Sequence, residues 1–138
     1  MRVHSAEIEL TTRGDADIVD ITDRVRAAVA KSGIGDGIGC VFVPGATAGI
    51  TTIEYEPGCI EDLRRLLDQL APPGRDYAHE RAWHDGNGHS HLRAALIGPS
   101  LSFPISEGQP TLGTWQHIVL CDFDNRPRSR RVTVKLVG

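Results

Sequence analysis

Arg130-Arg-Val-Thr-Val-Lys-Leu-Val137 is the stretch that decides the fold, because apolar and polar residues alternate along it without a break. Such alternation puts every second side chain on one face and predicts a strand that is buried on one side. Residues 3–12 show the same pattern, with Ala6, Ile8 and Leu10 on the apolar face. Two strands of this kind favour an antiparallel sheet with one face against a core.

The intervening segments predict a mixed α+β domain. Helical spacing of apolar residues predicts helices from Thr22 to Gly33, from Gly58 to Leu70 and from His91 to Ile97. Further strands are predicted over residues 17–21, 40–43, 50–56, 101–105 and 111–123, with residues 75–90 irregular. We therefore expect a single compact domain over residues 1–138, with a largely antiparallel sheet and two or three helices packed on it.

Composition narrows the class of protein. The 138 residues carry a net charge of −3, which gives no reason to expect nucleic-acid binding. No apolar run approaches the roughly 20 residues that span a membrane, and the N-terminus has no apolar signal core. We expect a cytoplasmic protein. The three cysteines form no CxxC pair, which argues against a disulfide framework.

Histidines crowd the stretch Trp83-His-Asp-Gly-Asn-Gly-His-Ser-His-Leu-Arg93. Histidine is a common ligand of divalent metals, and zinc takes three or four such ligands. Ser90 is a good N-cap, so the helix is expected to begin after His89, leaving His89 and His91 extended and on one side. Four histidines therefore become candidate metal ligands, the alternative being surface and capping roles: His79, His84, His89 and His91.

The same stretch allows a second interpretation. The glycine-rich turn leads into a helix N-terminus, where free N–H groups favour an anion, and Arg93 in the first turn could clamp a phosphate. The alternative is a glycine-rich turn with a solvated arginine. Elsewhere, Glu54 lies near Glu56 on one strand face, and two close carboxylates can supply a general acid or base, although a solvated face is the simpler explanation.

Several segments resemble the YjbQ-like family. They are Asp85-Gly-Asn-Gly-His-Ser-His-Leu-Arg-Ala-Ala-Leu-Ile-Gly-Pro-Ser100, Pro104-Ile, Gly113-Thr-Trp-Gln116 and Asp122-Phe-Asp-Asn-Arg-Pro-Arg128. With Phe42-Val-Pro and Thr-Ile-Glu54 included, the similarity covers nearly the whole chain. Six residues match positions of the family pattern: His79, Asn87, His91, Arg93, Ser100 and Gln116.

The resemblance implies a homotrimer with a metal or anion site near the subunit boundaries, and an activity of the secondary thiamine-phosphate synthase type. That reaction joins hydroxymethylpyrimidine diphosphate to thiazole phosphate and releases pyrophosphate. On this hypothesis a divalent metal, zinc or magnesium, is held by His79, His89 and His91. Arg93 and Glu54 would act on a small phosphorylated substrate, and the remaining pattern residues would bind it: Asn87, Ser100 and Gln116.

One segment departs from the family pattern. Many members carry His-Thr-Thr-Ala where this chain reads Gly45-Ala-Thr-Ala48, so the ligand set here must differ if that histidine binds metal. His117 stands where glutamine is common, and it is left undecided together with His84. Two other hypotheses remain open: a non-catalytic trimer that binds a metal or small anion, and histidines that only line a trimer interface.

Overall fold

Eight strands and four helices make up residues 1–138, all of which are described by a computed structural model. In chain order they are β1 (Val3–Thr12), β2 (Asp17–Asp20), α1 (Thr22–Ser32), β3 (Asp36–Phe42), β4 (Ala48–Ile53), α2 (Pro57–Leu70), α3 (Ala78–Trp83), α4 (Gly88–Ile97), β5 (Ser100–Ser106), β6 (Gln109–Pro110), β7 (His117–Asp122) and β8 (Arg128–Val137).

The alternating terminal strands build the larger sheet, as predicted. Its five strands run in the order β1-β8-β3-β5-β6, and every neighbouring pair is antiparallel. Ile8 pairs with Val132 and Ala6 pairs with Val134, so the apolar faces of β1 and β8 coincide. Val132, Val134 and Leu136 are completely buried, which confirms the face assigned to them.

The smaller sheet, in the order β2-β7-β4, lies between two apolar cores. From β7, Ile118 and Leu120 join the core shared with α1 and the larger sheet, whereas Val119 and Cys121 join the core beneath α2 and α4. A strand buried on both faces needs neighbours on both edges, which explains why β7 is central. The α+β class with antiparallel sheets is thereby confirmed.

Three strand boundaries differ from the predictions by three or more residues. β4, predicted to end at residue 56, ends at Ile53, so Glu54 and Glu56 do not share a strand face. β7 begins only at His117, because Thr114 and Trp115 form a turn closed by a hydrogen bond from the Gln116 N–H to the Gly113 carbonyl. β3 begins at Asp36, four residues before the predicted start of this strand at residue 40. A Cβ at Gly39 would lie 2.2 Å from the Phe103 ring, so this glycine is in the strand to let β5 approach.

The helix predictions are right for α1 and α2 and incomplete for the histidine-rich segment. α1 ends at the left-handed Gly33, and the Glu56 carboxylate caps the start of α2. Residues 75–90, predicted to be irregular, contain α3, and α4 starts at Gly88 with Asn87 as its N-cap. The prediction that Ser90 caps this helix is therefore wrong. None of the four helices combines the length and the apolar character that a membrane-spanning helix requires.

Candidate metal centre

A tight turn between α3 and α4 brings the histidine-rich stretch together. α3 ends at Trp83, its C-cap His84 has a left-handed backbone, and Gly86 (φ 71°) reverses the chain before α4 begins. A Cβ at Gly88 would lie 2.7 Å from the Cβ of Tyr77, so only glycine permits this approach of the two helices. The two glycines of Asp85-Gly-Asn-Gly88 thus perform different tasks, one in the turn and one in the packing.

The start of α4 is capped from within the chain. Glu80 Oε2 accepts the Gly86 N–H and Oε1 accepts the Gly88 N–H, both at 2.7 Å. Burial acts to raise the pKa of Glu80, but these two backbone donors hold it below its usual value. The position predicted for a phosphate is therefore filled by a carboxylate, and the phosphate-cradle interpretation of this helix start is wrong.

His79 from α3, Asp85 from the turn and His91 from α4 form one group. One ligand atom from each lies within 4.8 Å of the others. His79 Nδ1 is 3.5 Å from Asp85 Oδ1, and the rings of His79 and His91 are 4.4 Å apart. Two ligands of a tetrahedral zinc ion, each at about 2.1 Å, are separated by roughly 3.4 Å, so this donor set fits such an ion with small side-chain adjustments.

The nitrogens of the two histidines have different surroundings. His79 Nδ1 is buried and makes no hydrogen bond of good geometry, and two carboxylate oxygens lie just beyond that range, Asp85 Oδ1 at 3.5 Å and Glu80 Oε1 at 3.6 Å. His91 Nδ1 lies 3.0 Å from the Ala46 carbonyl oxygen. Because a carbonyl oxygen only accepts, His91 Nδ1 carries the proton and Nε2 keeps its lone pair for a ligand.

His89 does not join this group. Both His89 and His91 lie on α4, where two residues are separated by about 200° around the axis, so the extended arrangement predicted for the pair is wrong. His89 is 5% exposed and lines a cavity of about 230 Å³ together with Tyr77 and Glu80. Burial, followed by the charge of Arg93, lowers its pKa, so His89 is neutral near pH 7.

Arg93 faces the protein interior. Its side chain is 5% exposed, its Nε donates to the Ala71 carbonyl at 2.9 Å, and one terminal nitrogen lies 2.9 Å from Asp68 Oδ1. The guanidinium therefore joins α4 to the end of α2 and is not oriented to clamp a phosphate, contrary to the prediction. A first-turn arginine looks solvated in sequence because its partner lies 25 residues away.

The other residues of the family pattern are dispersed. Asn87 belongs to the turn, where its Oδ1 accepts from Ser90 Oγ and from the Asn125 N–H. Ser100 is exposed at the start of β5, directly after Pro99, which lines a small cavity with His91. Glu54 and Gln116 lie at the opposite end of the smaller sheet, beyond the Ile53–His117 pair, so neither faces the histidine group. His84 and His117 are also outside it.

Sequence reasoning missed two features of this site. Asp85 was read only as part of a glycine-rich turn, although a carboxylate between two histidines is itself a common ligand pattern. A buried polar network beneath the turn was also missed. Burial acts to raise the Asp122 pKa, but hydrogen bonds from Arg130 and Thr12 hold it below its usual value, so Asp122 is a carboxylate.

Comparisons with known proteins agree on one family. The chain matches the family model described as UPF0047 protein YjbQ-like over residues 6–138. A UPF0047 protein of Archaeoglobus fulgidus is 40% identical over 129 residues, which are 94% of this chain and 98% of that protein. Another, from Mycobacterium tuberculosis, is 47% identical over 118 residues, which are 84% of this chain and 86% of that protein.

Solved structures give the same result. The crystal structure of a YbjQ-like protein of unknown function from Sulfolobus solfataricus superposes with a TM-score of 0.93 at 36% identity, covering 99% of this chain and 98% of that one. A YjbQ/UPF0047 protein from Clostridium acetobutylicum superposes with a TM-score of 0.87 at 41% identity, covering 96% of this chain and 99% of that one.

Proposed function

The chain belongs to the UPF0047 family of YjbQ-like proteins, and within that family we propose that it binds a divalent metal ion through His79, Asp85 and His91. The observation that carries the proposal is the buried, unpartnered Nδ1 of His79, 3.5 Å from a carboxylate oxygen. A bound cation satisfies that lone pair.

The donor types favour zinc over magnesium. Imidazole suits zinc, iron, copper and nickel, whereas magnesium prefers oxygen ligands and retains its waters. His79 and His91 supply two nitrogens to one oxygen from Asp85. Three protein ligands also leave a fourth position of a tetrahedral ion open for a substrate.

Calorimetric titration of the chelator-stripped protein with Zn²⁺ and with Mg²⁺ tests the site. We expect one zinc ion per chain and a loss of affinity of at least about 100-fold in His79→Ala, Asp85→Ala and His91→Ala. His84→Asn is the matched control, because it removes a histidine from the same turn and asparagine tolerates its left-handed backbone. His89→Gln should also retain zinc. Failure of the wild type to bind, or loss of zinc in the His89 variant, would contradict the assignment.

For the activity, we propose a transferase of the thiamine-phosphate synthase type, as the family resemblance implies. The thiazole nitrogen attacks the methylene carbon of the pyrimidine, the bond from that carbon to the diphosphate oxygen breaks, and pyrophosphate leaves with the electron pair. A bound divalent ion neutralises charge on a diphosphate. We therefore propose that the site takes a small phosphorylated substrate, and this proposal rests on the metal site.

Arg126 and Arg128 replace Arg93 in this proposal as the cations that meet the phosphates. Both follow Asn125, whose Nδ2 donates to the Asp85 carbonyl at 2.7 Å. Their hairpin therefore touches the turn between α3 and α4 (residues 84–87), which we call the metal turn. Arg126 is 69% exposed and lies 4.0 Å from Asp124, which leaves most of its donors free.

Incubation of the zinc- or magnesium-loaded protein with both substrates, followed by oxidation of thiamine phosphate to a fluorescent product, tests the activity. We expect product with the wild type, at least about tenfold less with Arg126→Gln, and an unchanged rate with Arg93→Lys if that variant stays folded. Zinc binding without product would favour the alternative hypothesis of a non-catalytic protein that binds a metal or a small anion.

We also propose a homotrimer, as the family resemblance implies, and a cytoplasmic location. Light scattering of the purified protein during size-exclusion chromatography should give three times the 15.0 kDa chain mass. A trimer that dissociates as pH falls through about 6, with no bound zinc, would instead favour histidines that only line an interface.

A further inference from the structure

Two loops support the proposed metal ligands from behind. The Ala46 carbonyl fixes His91 through Nδ1, and Asn125 Nδ2 fixes the backbone of Asp85. These loops come from distant parts of the chain, residues 44–47 before β4 and residues 124–127 before β8. Ligand histidines usually need such a partner, because the bond at one nitrogen orients the other toward the metal.

A buried ion pair joins the two loops. Arg130 donates two hydrogen bonds to Asp122, at 2.7 and 2.9 Å, and a third of 2.7 Å to Thr47 Oγ1. The Thr47 hydroxyl donates in turn to Asp124 Oδ2 at 3.0 Å. Thr47 is therefore the residue through which the ion pair reaches both loops: it follows Ala46 in one and contacts Asp124 at the base of the other.

The network continues to the metal turn. Asn87 Nδ2 lies 3.5 Å from Asp124 Oδ1, and Asn87 Oδ1 accepts the Asn125 N–H at 3.0 Å. The ion pair is completely enclosed, since Asp122 is fully buried and Arg130 nearly so. A buried pair adds little net stability compared with apolar residues of similar size, so its main structural consequence is the orientation that it imposes.

We propose that Thr47, Asp122 and Arg130 are positioning residues that hold His91 and Asp85 ready for the metal ion. They act through the Ala46 carbonyl and through Asn125, and none of the three touches the ion. The proposal rests on the metal site proposed above. It adds that the ion pair sets the His91 tautomer, with Nδ1 protonated, whether or not metal is bound.

Thr47→Val tests the proposal, with Thr12→Val as its matched control. Both substitutions remove one buried hydroxyl that touches the ion pair, but only Thr47 belongs to a loop that contacts the ligands. The first measurement is the His91 tautomer in metal-free protein at about pH 8.5, from long-range ¹H–¹⁵N correlation spectra. The second is the dissociation constant for Zn²⁺.

We expect Thr47→Val to lower the fraction of His91 protonated at Nδ1 and to weaken zinc binding by about 10- to 100-fold. Thr12→Val should lose similar stability and keep both readouts within about threefold of the wild type. Because Asn125 is exposed, Asn125→Ala should fold even if Thr47→Val does not, and it should weaken zinc binding by about tenfold.

The outcomes separate this proposal from the metal site itself. If the wild type binds zinc and neither Thr47→Val nor Asn125→Ala changes its affinity or the tautomer, the positioning role is overturned while the metal site stands. Equal effects of Thr47→Val and Thr12→Val also overturn it, since they indicate a general loss of stability. If the wild type binds no zinc, the metal site fails, and the tautomer in metal-free protein still decides whether the network orients His91.

Discussion

Replacing Arg93 by methionine separates a structural from a substrate-binding role for this residue. Methionine keeps much of the buried apolar volume and removes every donor. The Ala71 carbonyl then loses the 2.9 Å hydrogen bond from Nε in a buried position. An unsatisfied buried acceptor costs about 1–3 kcal/mol. The lost pair with Asp68, which is 65% exposed, adds at most about 1 kcal/mol.

We therefore expect Arg93→Met to reduce the free energy of unfolding by about 2–3 kcal/mol. In urea denaturation followed by circular dichroism, this corresponds to a midpoint lower by about 1 M. Asp68→Asn serves as the control and should cost less than about 1 kcal/mol, because it weakens only the exposed ion pair.

Two results would refute this reasoning. If Arg93→Met keeps the wild-type urea midpoint but loses affinity for inorganic phosphate or pyrophosphate, Arg93 is a phosphate clamp after all. If Asp68→Asn costs as much as Arg93→Met, the exposed ion pair rather than the buried hydrogen bond to Ala71 supplies the stability.

Three further predictions concern stability. The pKa of Asp122 is lowered from 3.8, so the stability that its carboxylate contributes to the folded protein is present above about pH 4 and is lost as pH falls below that value. In urea melts, the free energy of unfolding should therefore fall less between pH 5 and pH 3 in Asp122→Asn than in the wild type. Burial raises the pKa of Cys121 from 9.0 to about 12. The stability that the buried neutral thiol contributes is therefore present below pH 9 and is lost as pH rises toward 12. Relative to Cys121→Ala, the wild type should lose about 2–3 kcal/mol of unfolding free energy between pH 9 and pH 11, and a constant difference would contradict the assigned pKa. Gly88→Ala should cost about 1–3 kcal/mol because its Cβ meets Tyr77, whereas Gly35→Ala, with open space around it, should change stability by less than about 0.5 kcal/mol in the same melts.

The larger sheet could be predicted because its signal is local. Alternation along β1 and β8 assigns every side chain to a face, and both strands were placed correctly with their buried residues. The start of β7 could not be placed in this way. Residues 111–116 have apolar and β-branched members that suit a strand, but the hydrogen bond from the Gly113 N–H to Gln116 Oε1 stabilises a turn there.

The histidine site was predicted in its location and not in its geometry. Ser90 is a good N-cap by composition, yet α4 begins three residues earlier than predicted because Glu80, on another helix, accepts the N–H groups of Gly86 and Gly88. That shift moves His89 away from His91 and into the interior. Because this cap comes from a side chain eight residues away on a different helix, the spacing of residues near the start of α4 does not predict it.

Gly45 bears on why the proposed metal site of this chain has a carboxylate as its third ligand. The backbone at Gly45 has a φ of 127°, and a Cβ there would lie 3.0 Å from an Arg130 nitrogen. A side chain at this position would thus strain the backbone and press on the buried ion pair. The segment instead contributes the Ala46 carbonyl, which orients His91. Only two histidines then remain in the group, and Asp85 supplies the third ligand atom. Replacing an imidazole by a carboxylate adds one negative charge at the proposed ion, so this site should bind zinc with a lower net positive charge than a three-histidine site would have.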